Sequence, residues 1–205
     1  MATGRGDDGS TGLLYGGPRI AKDDPRTDAY GTVDEAVAAL GLARAELAAD
    51  GAAGILPPAL EPLGALILRL QRELFVVGAE LATAAEAWDR LEDGRTRVSE
   101  AMVEALEALL AEHEASIEMP REFVVPGETR LSAALELART TVRRAERRVV
   151  TAKREGFVAG PWSLPYLNRL ADLLWVLART AEQGAAARAT PARVGARPGR
   201  SRPTG

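Results

Sequence analysis

The 205-residue chain is predicted to be all-α, a five-helix antiparallel bundle, on three observations. Ala, Leu, Arg and Glu dominate while Phe, Trp and Tyr make up only 4%, a composition of good helix formers. Apolar residues recur every three or four positions over five long stretches, the period of a helix with one buried face. The connections are short and carry turn residues, such as Asp50-Gly51, Pro57-Pro58 and Glu92-Asp93-Gly94, and no stretch reads as a strand. The length fits one domain with a sizeable core.

Composition also excludes chemistry. There is no Cys, so a disulfide framework, a Cys-based zinc site and a thiol nucleophile are ruled out. His113 is the only His, set between Glu112 and Glu114, and it reads as a solvated side chain. A di-iron site needing Glu-x-x-His on two helices is thereby excluded. The net charge of −3 points to neither nucleic acid nor membrane. No apolar signal region opens the chain and no run is long enough to span a bilayer, so a cytoplasmic location is expected. Arg188, Arg193, Arg197, Arg200 and Arg202 with no acid make residues 184–205 a basic, Arg/Pro/Gly-rich tail that reads as disordered. The bundle is expected to occupy residues 1–183.

Residues 1–27 are Gly-rich with little periodicity. Thr3 to Gly12 can wrap backbone N–H groups and hydroxyls around an anion, although it lacks the ending of a Walker loop. The first helix is expected from Asp28 or Thr32 to Ala49, with Val33, Val37, Leu40, Ala43 and Leu47 on its apolar face. The second should run from Ala59 to Ala87, with Leu66, Leu70, Leu74, Val77 and Leu81 as its stripe. The third spans Ser99, a plausible cap, to Ile117, with Val103, Leu106, Leu109 and Leu110 inward. Pro120 and Pro126 then bracket an aromatic-bearing Phe123-Val124-Val125 that is expected to pack into the core or line a pocket.

The fourth stretch, Leu131 to Val150, reads LSAALELARTTVRRAERRVV. Leu131, Leu135, Ala138, Val142, Ala145 and Val149 form one stripe. Arg139, Arg143, Glu146 and Arg147 form another beside it. This second face reads either as a solvated basic surface or as a set of planar donors suited to phosphate. The last helix, Ser163 to Glu182, places Asn168, Asp172 and Trp175 on one side, as a buried network or a ligand contact.

Seven segments together resemble the PduO-type ATP:cob(I)alamin (corrinoid) adenosyltransferases. They are GDDGSTGLL, Lys22-Asp23-Asp24, Ala29 to Glu35, LQRELFVVGAELAT, EFVVPG, ARTTVRRAERR and YLNRLADLLWVLAR, in the family's order, covering Thr3 to Arg179. The resemblance implies a homotrimer of five-helix bundles with ATP and cobalamin bound between neighbours, and Mg²⁺ accompanying ATP. It implies that Co(I) attacks the 5′ carbon of ATP to give adenosylcobalamin and triphosphate. It assigns ATP binding to Thr3, Gly4, Arg5, Gly6, Thr11, Gly12, Lys22, Arg143, Arg144, Glu146, Arg147 and Asn168. Asp34 would pair with Arg139 across a subunit boundary, and Phe123 with Trp175 would hold the corrin ring and displace its lower ligand. The catalytic set is thus Arg143, Phe123, Asp34 and Arg139. An electron-donating reductase and a B12-dependent enzyme are the implied protein partners.

That chemistry asks for no protein nucleophile, only cations around a polyanionic leaving group and an apolar wall beside cobalt. The sequence departs from the family pattern at Thr3-Gly4-Arg5, where the basic residue is displaced by one place. It departs also at Tyr15, an apparent insertion, at Val37, at Glu128 in place of Gly, and at Trp175 in place of the commoner Phe. These changes also fit an alternative, a non-catalytic paralogue that binds corrinoid or nucleotide as carrier or sensor.

Overall fold

The computed structural model describes residues 4–193. Five helices dominate: α1 (Pro25–Ala52), α2 (Leu63–Leu81), α3 (Glu100–Ser116), α4 (Arg130–Arg154) and α5 (Ser163–Gly184). Four strands of two residues each join them: β1 (Ser10–Thr11) pairs antiparallel with β2 (Ile20–Ala21), and β3 (Val124–Val125) with β4 (Thr190–Pro191). The sequence reading expected none, because two residues carry no alternating pattern.

Cross-helix pairs set the directions. Arg130, Arg144 and Arg148 on α4 meet Glu46, Glu35 and Asp28 on α1 in reverse order, so these helices are antiparallel. Glu146 with Asn168 and Glu136 with Arg179 show the same for α4 and α5. Direction alternates along the chain. Consequently α3 and α5 lie side by side and parallel, joined by Glu107 at the middle of α3 with Arg169 in the first half of α5, and by Glu118 with Gln183 at their C-terminal ends.

The helix boundaries follow local chemistry. Asp24 caps α1 by accepting from the Arg26 backbone N–H at 2.9 Å, and Pro25 opens the first turn. The helix therefore begins nearly a turn or more before the Asp28 or Thr32 expected from periodicity. Pro58–Leu60 forms a short 3₁₀ turn, and α2 starts only after Pro62. It ends at Leu81 instead of Ala87, because the chain there bonds Leu14 N–H to Ala82 O at 2.8 Å and Ala85–Arg90 turns as 3₁₀. Ser99 stands at the N-cap of α3 but makes no capping hydrogen bond. Thr129 and Ser132 form a reciprocal capping box on α4.

The core lies where the stripes predict it. Leu131, Leu135, Ala138, Val142, Ala145 and Val149 are all buried, in one cluster with Leu40 of α1 and Leu170, Leu174 and Leu177 of α5. Each such Leu contributes roughly 1.5–3 kcal/mol by leaving water. Leu109 and Leu110 of α3 are only half-buried, since α3 packs chiefly on α5 at the edge of the bundle. The segment expected to be unstructured from Gly184 is described as far as Arg193, and β4 within it is paired; residues 194–205 lie outside the described residues.

Candidate functional site

The 25 residues of α4 run about 37 Å and separate the two groups of candidate site residues. At one end lies the Gly-rich segment. Gly4 and Gly9 adopt positive φ, 65° and 79°, which lets the chain turn twice within six residues. Asp7 N–H bonds Gly4 O at 3.2 Å, Gly9 N–H bonds Gly6 O at 3.1 Å, and Lys22 N–H bonds Gly9 O at 2.9 Å. A Cβ at Gly6 would stand 3.0 Å from Lys22 Nζ and 3.2 Å from Ser10 O, so glycine leaves room for the Lys22 ammonium to fold over the loop. Thr11 is half-buried in β1, and Gly12 is exposed.

Arg19 ties this loop together and was missed in the sequence. Its Nη2 donates to Arg5 O at 2.6 Å and Ser10 O at 3.0 Å, and its Nε to Ser10 Oγ at 2.7 Å. Asp8 accepts from the Ser10 hydroxyl and backbone N–H, which holds its carboxyl below the usual range. Arg26 bonds Asp24 at 2.8 Å and lies 4.3 Å over the Phe157 ring. With Arg148–Asp28 at 3.0 Å, these contacts put the Lys22 turn beside the C-terminal half of α4.

The Arg face of α4 divides into different roles. Arg143 is exposed and makes no ion pair among the described residues. Arg147 is exposed and donates to the Arg143 carbonyl at 3.0 Å. Arg144 pairs with Glu35 of α1, a partner the sequence reading did not single out. Glu146 accepts from Asn168 Nδ2 at 3.2 Å, so the two motifs of α4 and α5 do meet. Asn168 Oδ1 accepts in turn from Arg169 at 2.8 Å, and Arg169 also reaches Glu107.

Arg139 and Asp34 are not brought together within one chain. Arg139 Nε is held by Glu136 at 2.6 Å. Asp34 is exposed on α1, at the rim of an apolar cavity of about 370 Å³ between α1 and α2 that Leu14, Val37 and the 62% exposed Phe75 line.

Phe123 occupies the other end. Its ring is 86% exposed and stands outside the core, while the rest of its segment, Met119, Pro120 and Val124, lines a cavity of about 540 Å³ with Arg179 and Pro191, in keeping with the expectation that the segment lines a pocket. Its backbone is nevertheless tethered: Phe123 O accepts from Ala192 N–H at 2.8 Å beside the β3–β4 pairing, and Gln183 bonds both backbone groups of Glu118. Trp175 is half-buried on α5, with the Arg179 guanidinium 5.7 Å from its ring. Thr3 lies outside the described residues. Among those described, no group of three His, Asp or Glu side chains could hold a metal.

A family profile described as cobalamin adenosyltransferase matches residues 1–181. The chain belongs to this family. It is 38% identical over 185 residues to a corrinoid adenosyltransferase of Citrobacter freundii, spanning 88% of this chain and 93% of that one. It is 37% identical over 179 residues to the Bacillus subtilis corrinoid adenosyltransferase, with 87% and 84% covered. Among solved structures, a variant PduO-type ATP:corrinoid adenosyltransferase from Lactobacillus reuteri, complexed with cobalamin and ATP, aligns with a TM-score of 0.79 and 28% identity. That alignment covers 94% of this chain and 99% of the other. Matches extending over the whole bundle place the Gly-rich loop, the Arg face and the Phe123 segment of this adenosyltransferase within the family's fold.

Proposed function

We infer that this chain transfers the 5′-deoxyadenosyl group of ATP to the cobalt of a reduced corrinoid. Co(I) supplies the electron pair of the new Co–C bond, the C5′–O bond breaks, and inorganic triphosphate leaves. The chain's task is to bind and orient two large substrates, to meet the leaving charge and to keep ligands off cobalt.

The Gly4–Gly12 loop, together with Thr3, Arg5 and Lys22, grips the phosphates. Its turns are preformed and its ammonium is already folded inward. Arg143, free of any carboxylate among the described residues, offers its whole fork to the triphosphate, and Arg144 and Arg147 add positive potential beside it. The Glu146–Asn168 pair holds the nucleoside side of the site. Mg²⁺ would accompany the triphosphate and offset its charge. Phe123 and Trp175 cover the lower face of the corrin and exclude water or base, which makes Co(II) easier to reduce.

One observation carries the reading of where this happens. The Lys22 loop and Phe123 lie at opposite ends of one bundle, and Asp34 stands apart from Arg139. A second copy brings one chain's loop and Asp34 to the next chain's Arg139, Arg143 and Phe123. A closed homotrimer satisfies every chain equally, with the bundle as one domain and the protein in the cytoplasm beside its ATP. No helix among the described residues is long and apolar enough to cross a membrane.

The test is turnover with wild type and an Arg143→Ala variant, supplied with chemically reduced cobalamin and ATP in the absence of oxygen. Adenosylcobalamin from the wild type and its loss in the folded variant are expected. Corrinoid binding without turnover in the wild type would reject the enzymatic reading.

A further inference from the structure

We propose that Glu136 is a positioning residue for adenosyl transfer, aiming Arg139 and tying it to the corrin-side wall. Glu136 lies on α4 one turn before Arg139, on the same side of the helix as Arg139 and Arg143, and is only 4% exposed. One of its oxygens takes Arg139 Nε at 2.6 Å, and the other takes Arg179 Nη2 at 3.3 Å. Arg179, 1% exposed on α5, is the residue whose guanidinium lies 5.7 Å from the Trp175 ring. A continuous line of contacts therefore runs from Trp175 through Arg179 and Glu136 to Arg139.

The plainer account is that Glu136 merely neutralises the buried Arg179. The distances speak against it. Arg179 already has Glu182 at 2.9 Å, and the shorter contact of Glu136 goes to Arg139. The choice of atom matters as well. Holding Nε fixes the plane of the guanidinium and leaves both terminal nitrogens unclaimed by Glu136, the fork geometry that binds a carboxylate in two places. Arg139 makes no second ion pair among the described residues, so that fork is available to Asp34 of another copy.

This inference rests on the reading that Arg139 serves the site, and its test separates the two. The kcat and KM for ATP and for cob(I)alamin are measured for Glu136→Gln, Glu136→Asp, Arg139→Ala and the double variants, with circular dichroism as a fold check. Glu136→Asp keeps the charge that Arg179 needs but withdraws by one methylene from Arg139, so it stays informative if Glu136→Gln fails to fold. Each folded Glu136 variant is expected to lose about tenfold in kcat/KM, the scale of one hydrogen bond to a charged group. Neither should lower activity further in the Arg139→Ala background. Losses that multiply with that of Arg139→Ala, or a Glu136→Asp enzyme equal to wild type, overturn the positioning role alone. Full activity in Arg139→Ala overturns the reading of Arg139 and this inference with it.

Discussion

Arg143 and Phe123 are both exposed, and neither side chain makes a hydrogen bond or ion pair among the described residues. Residues so placed contribute little to folding, so their substitution isolates function. Arg143→Ala is expected to lower turnover by about 10²–10³-fold, the usual consequence of removing one preorganised donor to developing charge. Its thermal midpoint should match the wild type, and parallel melting and turnover measurements check both statements. Phe123→Ala should slow the reaction more when it starts from cob(II)alamin with a reductant than from preformed cob(I)alamin. Equal slowing in the two assays would remove ligand exclusion as the role of the ring. The buried groups behave differently. Desolvation raises the Glu182 carboxyl above its ordinary value despite Arg179 beside it, and burial next to Glu73 raises the Tyr166 hydroxyl well above its own.

Elements are where the sequence was most and least readable. The stripe of α4 could be assigned residue by residue, because a helix buries every third or fourth position and those positions were all aliphatic or Ala. The start of α1 could not, because Asp24 and Pro25 lie before the first periodic residue: the Asp24 side chain accepts the Arg26 backbone N–H, and Pro25 opens the first turn. The β3–β4 clasp and the Glu136–Arg179 contact join residues far apart in the chain, and no local pattern announces such pairs. The cap of α1 gives a pH test. Hydrogen bonding from Arg26 depresses the Asp24 carboxyl, with burial opposing. A depressed carboxyl stabilises the fold above its unfolded value of 3.8 and loses that contribution as pH falls through the folded value. Asp24→Asn should therefore melt lower than wild type at neutral pH, and the gap should close in acid below that range. A gap independent of pH would mean that the charge of Asp24 is not what holds the turn carrying Lys22.

At the scale of the whole molecule, the proposed sites are shared between copies. Of the candidate site, the sequence motifs named the Arg face and Asn168, and the structure adds that Asn168 meets Glu146 of that face within one chain. The pairing of Asp34 with Arg139 across a subunit boundary came only from the resemblance, since no local pattern shows how the helices pack; within one chain Arg139 Nε is held by Glu136 instead. Sharing makes a prediction that a single-chain site does not. Asp34→Ala and Arg139→Ala, each weak alone, should regain part of the wild-type turnover when co-expressed. The Arg139 of one variant then meets the Asp34 of the other in some of the mixed sites. No recovery in mixed assemblies, verified by mass, would place both residues in the same chain's site or in none.

The most direct measurement of the central claim is the stoichiometry of products formed anaerobically from cob(I)alamin and ATP with Mg²⁺. The visible spectrum counts new Co–C bonds, while phosphorus NMR identifies the phosphate released. Attack at the 5′ carbon predicts one inorganic triphosphate for each adenosylcobalamin over many turnovers. Phosphate or pyrophosphate released without Co–C bond formation, or bound corrinoid that never changes its spectrum, would contradict it.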